Sequence, residues 1–443
     1  MPSYQRDGNR ARRAESTAPG LLRSTLPASG GGGQAEGRKT RRAACVMSSL
    51  WATEMDAINL GRGHPNPRLL PLDAIRVAFD EAVQRPNAAV AMMQYGRMQG
   101  NQDVCEEICR WITRNAIRSR NVTPANILVT TGSGPGLSLV CQLFSEPGDI
   151  ILVDSPAYFL AFYAFADSKL QVVEFSTDKD GLDVDAIETY LRTPGAQPPA
   201  LVYTVPVANN PTGVTMSEER KRRLVELARE FKFKIISDEV YLLLTFPGDR
   251  ERPSSLAEYD EPQDPVVFAL HSFSKLLGPG LRLGWIEADA RYVQRMITGG
   301  VINSGGGMNP FTSEIVLSMM KSGELDSQIA KVRRMYRENC DVLINSIESE
   351  LVPALGVGET IRYFHPQGGF FLFIWLPSRF DADSLVRQAT SNFGVSCFSG
   401  THFSGDSTRY SHCIRLCFAY LNADTISEGV KRLGRAIRAY EAS

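Results

Sequence analysis

From about residue 126 onward, short apolar runs alternate with amphipathic stretches. Ile127-Leu128-Val129-Thr130, Ile150-Ile151-Leu152-Val153, Leu201-Val202-Tyr203-Thr204, Lys234-Ile235-Ile236-Ser237 and Val266 to Leu270 each predict a strand. Gly136 to Phe144, Tyr158 to Phe165 and Glu218 to Phe231 predict helices between them. Near-continuous apolar strands separated by helices predict an α/β fold: a three-layer, mostly parallel sheet covered on both faces. After Asn309 the pattern changes. Phe311 to Ile347 predicts one long helix or two, Phe370 to Trp375 and Cys413 to Phe418 predict strands, and Ala382 to Thr390 and Ile426 to Tyr440 predict helices. The mixture predicts a smaller α+β C-terminal domain over 310–443 beside a large domain over 50–309. The segment from about 50 to 100 is expected to pack against the smaller one.

Ligands of such sheets sit beyond the carboxyl ends of the strands. Those ends carry Gly132-Ser133-Gly134, Asp154-Ser155-Pro156, the Asn210 loop, Asp238 and the run Ser272-Phe273-Ser274-Lys275. Most lysines are solvated surface charges. Lys275 differs in its surroundings: an apolar run before it, serines on alternate positions, the irregular Gly278-Pro279-Gly280 turn, and Arg282 seven residues on. A lysine so placed can form a Schiff base with an aldehyde cofactor. Asn210-Pro211-Thr212-Gly213 is turn chemistry on its own, and Asp238 is on its own a helix N-cap. Gly132 to Gly136 offers backbone N–H groups to a phosphate, but it matches neither common nucleotide-loop spacing.

Residues 1–49 stand apart. They hold nine basic and three acidic residues, a run of four glycines and little apolar periodicity. They read as a disordered basic tail or as an organelle transit peptide, with Met47 an alternative start. The protein is accordingly expected inside the cell, cytoplasmic or organellar. The whole chain has 443 residues, 43% hydrophobic and 22% charged, with a net charge of -1. Nothing in that balance points to nucleic acid or to a membrane surface. The eight cysteines lack metal-site spacing and read as reduced thiols; no metal site is expected.

Taken together, Asn210-Pro211-Thr212-Gly213, Asp238-Glu239-Val240-Tyr241, the run Ser272 to Gly284 and Ile414-Arg415-Leu416-Cys417-Phe418-Ala419 resemble the motifs of the fold-type I pyridoxal-phosphate aminotransferases, in the family's order. Asn59 to Pro67, Gln94-Tyr95-Gly96 and Pro366 to Phe371 are most similar to the 2-aminoadipate, kynurenine and multi-substrate branch. The resemblance implies pyridoxal 5'-phosphate as cofactor. It implies that Lys275 holds it as an internal aldimine and then moves the Cα proton. Asp238 would bind the pyridine nitrogen, Asn210 and Tyr241 the phenolic oxygen, and Tyr158 the ring face. Ser133, Gly134, Ser272, Ser274 and Arg282 would hold the phosphate, and Tyr95 would reach the phosphate of a neighbouring subunit in a homodimer. Arg415, with Gly63 and Asn210, would bind the substrate carboxylate. The implied reaction moves an amino group from an L-amino acid to a 2-oxo acid by ping-pong kinetics.

Lys275 must lose its proton to react, and its unperturbed pKa is about 10.4; burial and Arg282 are expected to lower it. Arg415 has apolar flanks, which predicts burial with an anionic partner. The sequence departs from the family at Gly134-Pro135, which leaves backbone contacts for the phosphate there, and at Arg62 and His64 around the carboxylate glycine. Arg62 favours an acidic substrate; His64 faces the substrate or caps a turn. Elimination on the same fold is an alternative reaction. A ligand-sensing regulator is a further one, although the tail is too short for a winged-helix domain.

Overall fold

A computed structural model describes residues 57–115, 122–248 and 252–442. The predicted tail over 1–49 lies outside the described residues. The strands, in chain order, begin with β1 (Ile58–Asn59), β2 (Ile127–Thr130), β3 (Ile150–Ser155), β4 (Gln171–Asp178) and β5 (Gly181–Leu182). Then come β6 (Leu201–Thr204), β7 (Lys234–Asp238), β8 (Val267–Ser272) and β9 (Gly284–Glu287). The last five are β10 (Arg362–Tyr363), β11 (Phe371–Trp375), β12 (Val395–Ser396), β13 (Phe398–Ser399) and β14 (Cys413–Cys417).

The large sheet runs β2-β9-β8-β7-β6-β3-β4-β5. The central pairings β8·β7, β7·β6, β6·β3 and β3·β4 are parallel, and the outer ones are antiparallel. Side chains alternate between its two faces. Leu152, Val202, Ile235 and Val267 enter one core with Leu224 and Leu227 of the helix Glu218–Phe231. Ile151, Val153, Ile236 and Phe268 enter the other with Leu137 and Val140 of the helix Ser133–Phe144. This two-sided burial is why the strands lack polar alternation. β4, β9 and the helix Val184–Arg192 were not anticipated. β4, near the sheet's edge, holds only half-buried and exposed residues, and Glu174 interrupts its apolar positions, so it carries no continuous apolar run.

Helix ends moved for local reasons. The helix predicted from Gly136 starts at Ser133, because Gly132, at φ +115, turns the chain directly out of β2. The helix predicted from Tyr158 starts at Ala161. Pro156 and the bond from Ala157 N–H to Phe403 O (2.8 Å) hold Tyr158 in an irregular segment ahead of it. The choice between one helix and two resolves as two: Pro310–Ser322 and Glu324–Ser346 meet at Gly323, which sits at φ +81.

The smaller C-terminal domain is built on the antiparallel sheet β10-β11-β14-β13. β1 pairs in parallel with β12, Leu60 N–H donates to Ser396 O, and Cys417 N–H donates to Leu60 O. The stretch after Leu60 is thus fixed beside β14, as expected for its part of the 50–100 segment. The seven described cysteines are buried free thiols. Among the described residues, no helix is long and apolar enough to cross a membrane.

Candidate active site

β3, β6, β7 and β8 deliver their carboxyl ends to one edge of the large sheet, and Lys275 lies three residues past β8. It makes no hydrogen bond or ion pair among the described residues, and its Nζ is 5.5 Å from the centroid of the Phe370 ring. Burial lowers its pKa to about 8, with Arg415 and Arg282 pushing the same way and Cys417 and Asp238 opposing. Burial is therefore the larger of the two causes expected from sequence.

Asp238 is the last residue of β7, 5% exposed, and not a helix N-cap. Its Oδ2 accepts from the Tyr203 hydroxyl at 3.0 Å, while its Oδ1 is buried with no partner. Burial raises its carboxyl to about 6, against Tyr203 and Lys275, which hold it down. Tyr203 was missed as a site residue. Register explains its place: Tyr203 is paired with Ile236, and Asp238 lies two residues further along β7, so both side chains share one face. Asp154 was noted only as a strand end. Its Oδ2 accepts from Asn209 Nδ2 (2.8 Å), Thr204 Oγ1 (3.2 Å) and Val205 N–H (3.2 Å), which fixes the turn that presents Asn210.

Asn210 and Tyr241 are both buried. Asn210 Oδ1 accepts from Arg415 Nη1 at 3.0 Å, which leaves its amide N–H groups to donate elsewhere. Burial raises the Tyr241 hydroxyl well above its ordinary range, so it stays a donor. Tyr158 is half-buried, and burial likewise raises its hydroxyl, with Asp238 adding to the effect.

Ser133 and Gly134 open the helix Ser133–Phe144, and nothing approaches within 4 Å of where a Gly134 Cβ would lie. A Cβ on Gly132 would lie 3.2 Å from Arg282 Nη2. The arginine thus comes against the same helix start. Ser272 and Ser274 are buried, and Ser274 N–H donates to Ser272 Oγ at 3.1 Å. Backbone N–H groups, hydroxyls and a guanidinium at a helix start form a cradle that fits a phosphate. An unpartnered carboxylate oxygen on Asp238 fits a ring N–H. Tyr95 lies elsewhere: it is 80% exposed, beside Gly306.

Arg415 sits mid-strand in β14, 3% exposed. Its Nη2 donates to Gly61 O at 2.8 Å, and Nη1 to Asn210 as above. Its guanidinium carbon is 4.1, 4.7 and 5.1 Å from the ring centroids of Phe371, Phe398 and Phe403. The predicted burial is present, but no carboxylate among the described residues pairs with it, and its Nε has no partner. Aromatic faces and two side-chain or backbone oxygens hold it instead, and burial lowers its pKa to about 10. The aromatic cage has no signature in the sequence, because Phe398 lies in the two-residue strand β13 and Phe403 in a turn, neither with a periodic signal. Gly63 lies against this arginine: a Cβ there would be 2.7 Å from the Phe371 ring and 3.7 Å from Arg415 Nη2.

The family profile "Aminotransferase class I and II" matches residues 56–433. The chain belongs to the class I and II aminotransferases. It is similar to aromatic-amino-acid aminotransferase 1 of Thermococcus litoralis, 30% identical over 86% of this chain and 88% of that one. It is also similar to the 2-aminoadipate transaminase of Thermus thermophilus, 28% identical over 90% and 94%. Among solved structures, the kynurenine aminotransferase of Pyrococcus horikoshii, in complex with PMP, KYN as substrates and KYA as products, superposes with a TM-score of 0.80 at 29% identity, over 90% of this chain and 94% of that one. This aminotransferase is therefore an enzyme of the pyridoxal-phosphate fold type I, and pyridoxal phosphate is its cofactor.

His64 and Arg62 flank Gly63, which lies beside Arg415. Burial, then Lys275, Arg62 and Arg415, lower the His64 imidazole to about 4, so it is neutral near pH 7. Arg62 Nη1 donates to the Tyr420 hydroxyl at 2.9 Å, its guanidinium carbon lies 5.0 Å from that ring's centroid, and its buried Nε has no partner.

Proposed function

We propose that this aminotransferase moves the amino group of an L-amino acid of the 2-aminoadipate or aromatic type to a 2-oxo acid, in two alternating half-reactions. The observation that carries the reading is the Arg415 guanidinium, buried without an acid among the described residues and electrostatically coupled to Lys275. An uncompensated buried cation beside a reactive amine is suited to an α-carboxylate. Arg62, also without a carboxylate partner among the described residues, supports an acidic side chain on the substrate.

In this reading Lys275 Nζ attaches the cofactor covalently, then carries the proton to and from the substrate Cα. Asp238 Oδ1 takes the pyridine N–H; Asn210 and Tyr241 donate to the phenolic oxygen; Tyr158 covers the ring. Ser133, Gly134, Ser272, Ser274 and Arg282 take the phosphate. When bound, pyridoxal phosphate supplies the sink for the electron pair left at Cα. Tyr95 reaches the phosphate of a second copy in a homodimer. The exposed apolar residues Leu72, Val90 and Met93 on the same segment support that pairing.

A screen of amino donors against one 2-oxo acid, read by the product amino acid, tests the reaction, and parallel double-reciprocal plots are expected. Pyruvate and ammonia formed without any acceptor would overturn transamination in favour of elimination. Two further outcomes follow from the geometry. The amine of Lys275 reacts only when deprotonated, so the rate of covalent cofactor attachment to apoprotein should rise with pH and level off just above about 8. A rate still climbing at pH 10 would contradict the lowered amine. Asp238 takes the ring N–H ionised, so the affinity of apoprotein for the cofactor should fall as pH drops through about 6. Tyr203→Phe removes a donor that holds this carboxyl down, so the acid limb of that binding profile should move to higher pH. An unmoved limb would show that Tyr203 only packs.

A further inference from the structure

A cavity of about 430 Å³, none of whose lining residues is named above for the Lys275 site, lies where three parts of the chain meet. They are the segment following Tyr241, the long helix Glu324–Ser346 and the loop His365-Pro366-Gln367. Among the described residues, three arginines line it, Arg252, Arg333 and Arg337, against one acid, Asp341. Asp341 is already taken, since its Oδ2 lies 3.1 Å from Arg337 Nε. Arg333 Nε donates to Thr245 O and Arg252 Nη1 to Asn115 O, both backbone carbonyls. Neither has an ion pair among the described residues. Burial lowers the pKa of each guanidinium; Arg252 lowers that of Arg333 further, while Asp326, though not paired with it, opposes the shift at Arg252.

A second, independent observation comes from Thr245, which lines the same cavity. It is 5% exposed, and its Oγ1 is buried with no hydrogen-bond partner. A buried hydroxyl without an acceptor and two partly buried like charges without an anion are each unfavourable alone. One bound anion satisfies all three.

We propose that this cavity is a binding site for a small polyanion, phosphate- or carboxylate-bearing, held by Arg252, Arg333 and Thr245 Oγ1. Its position bears on the aminotransferase site. Thr245 forms a β-bridge with Gly368, and Gly369 N–H donates to Leu244 O at 3.2 Å. The next two residues are Phe370, over Lys275, and Phe371, over Arg415. An anion that fixes Thr245 therefore fixes the root of the loop that carries both rings.

The test uses holoenzyme, whose cofactor already fills the catalytic phosphate cradle. Inorganic phosphate and tricarballylate are titrated separately by calorimetry at constant ionic strength, which separates the two ligand chemistries. At least one should bind saturably, one per chain. The Arg252→Gln, Arg333→Gln double variant should weaken that binding about tenfold or more. Thr245→Val, which keeps the shape and removes the hydroxyl, should weaken it about threefold or more, and serves alone if the double variant does not fold. Arg415→Ala should bind like the unaltered enzyme. No saturable heat with either anion, or binding that survives Thr245→Val unchanged, overturns the proposal. So does binding lost only in Arg415→Ala, since the anion would then occupy the substrate site.

Discussion

Lys275→Ala should lower the rate of amino transfer by at least about 10⁴-fold, because it removes both the covalent attachment point and the acid–base group. The fold should survive. Lys275 makes no hydrogen bond or ion pair among the described residues, and its removal relieves a partly desolvated amine. A second readout separates loss of chemistry from loss of cofactor. After borohydride treatment with pyridoxal phosphate, the unaltered chain should gain the mass of one reduced adduct at this position, and the variant should gain none there. Steady-state turnover retained within about tenfold would refute the assigned role, whatever the adduct pattern.

Arg415→Met should split activity from stability. Losing a buried charge-assisted pair with the substrate carboxylate costs about 3–5 kcal/mol, which lowers kcat/KM by somewhere between roughly 10²- and 10⁴-fold. The same substitution should raise the melting temperature of the substrate-free enzyme by a few degrees. A buried guanidinium without an acid partner among the described residues is replaced by an apolar chain among Phe371, Phe398 and Phe403, where methionine packs well. Differential scanning calorimetry and steady-state kinetics on one preparation check both halves. A variant that loses activity and stability together would mean that the bonds to Asn210 and Gly61 outweigh the desolvation of the cation.

Much of the large sheet was legible because its strands are buried on both faces. β2 and β6 match their predicted bounds, and β3, β7 and β8 differ by two residues or fewer. β4 escaped because its partly wet faces erase the apolar run. The chemistry-bearing residues could be placed at strand ends one by one, and Asp238, Asn210, Ser272 and Lys275 all lie there. Relations between strands were harder to read. Tyr203 reaches Asp238 only through the β6·β7 register, and Asp154 reaches Asn209 only once β3 is known to neighbour β6. The cage around Arg415 draws Phe371 from β11 on one side of β14, Phe398 from β13 on the other and Phe403 from a turn. No spacing along the chain encodes that meeting.

The bonds of Leu60 to Ser396 and Cys417 have a consequence for substrate choice. They make the Gly61–Gly63 stretch a passenger of β14, so the grip proposed for the α-carboxylate is one jaw. Asp238, Tyr241 and Lys275 belong to the other jaw, rooted in the large sheet. The Asn210–Arg415 hydrogen bond spans the gap between them. On the proposed reading a substrate is gauged as by a calliper, its carboxylate against one jaw and its amino group against the other, with side-chain length free to vary outside that span, toward Arg62 and Tyr420.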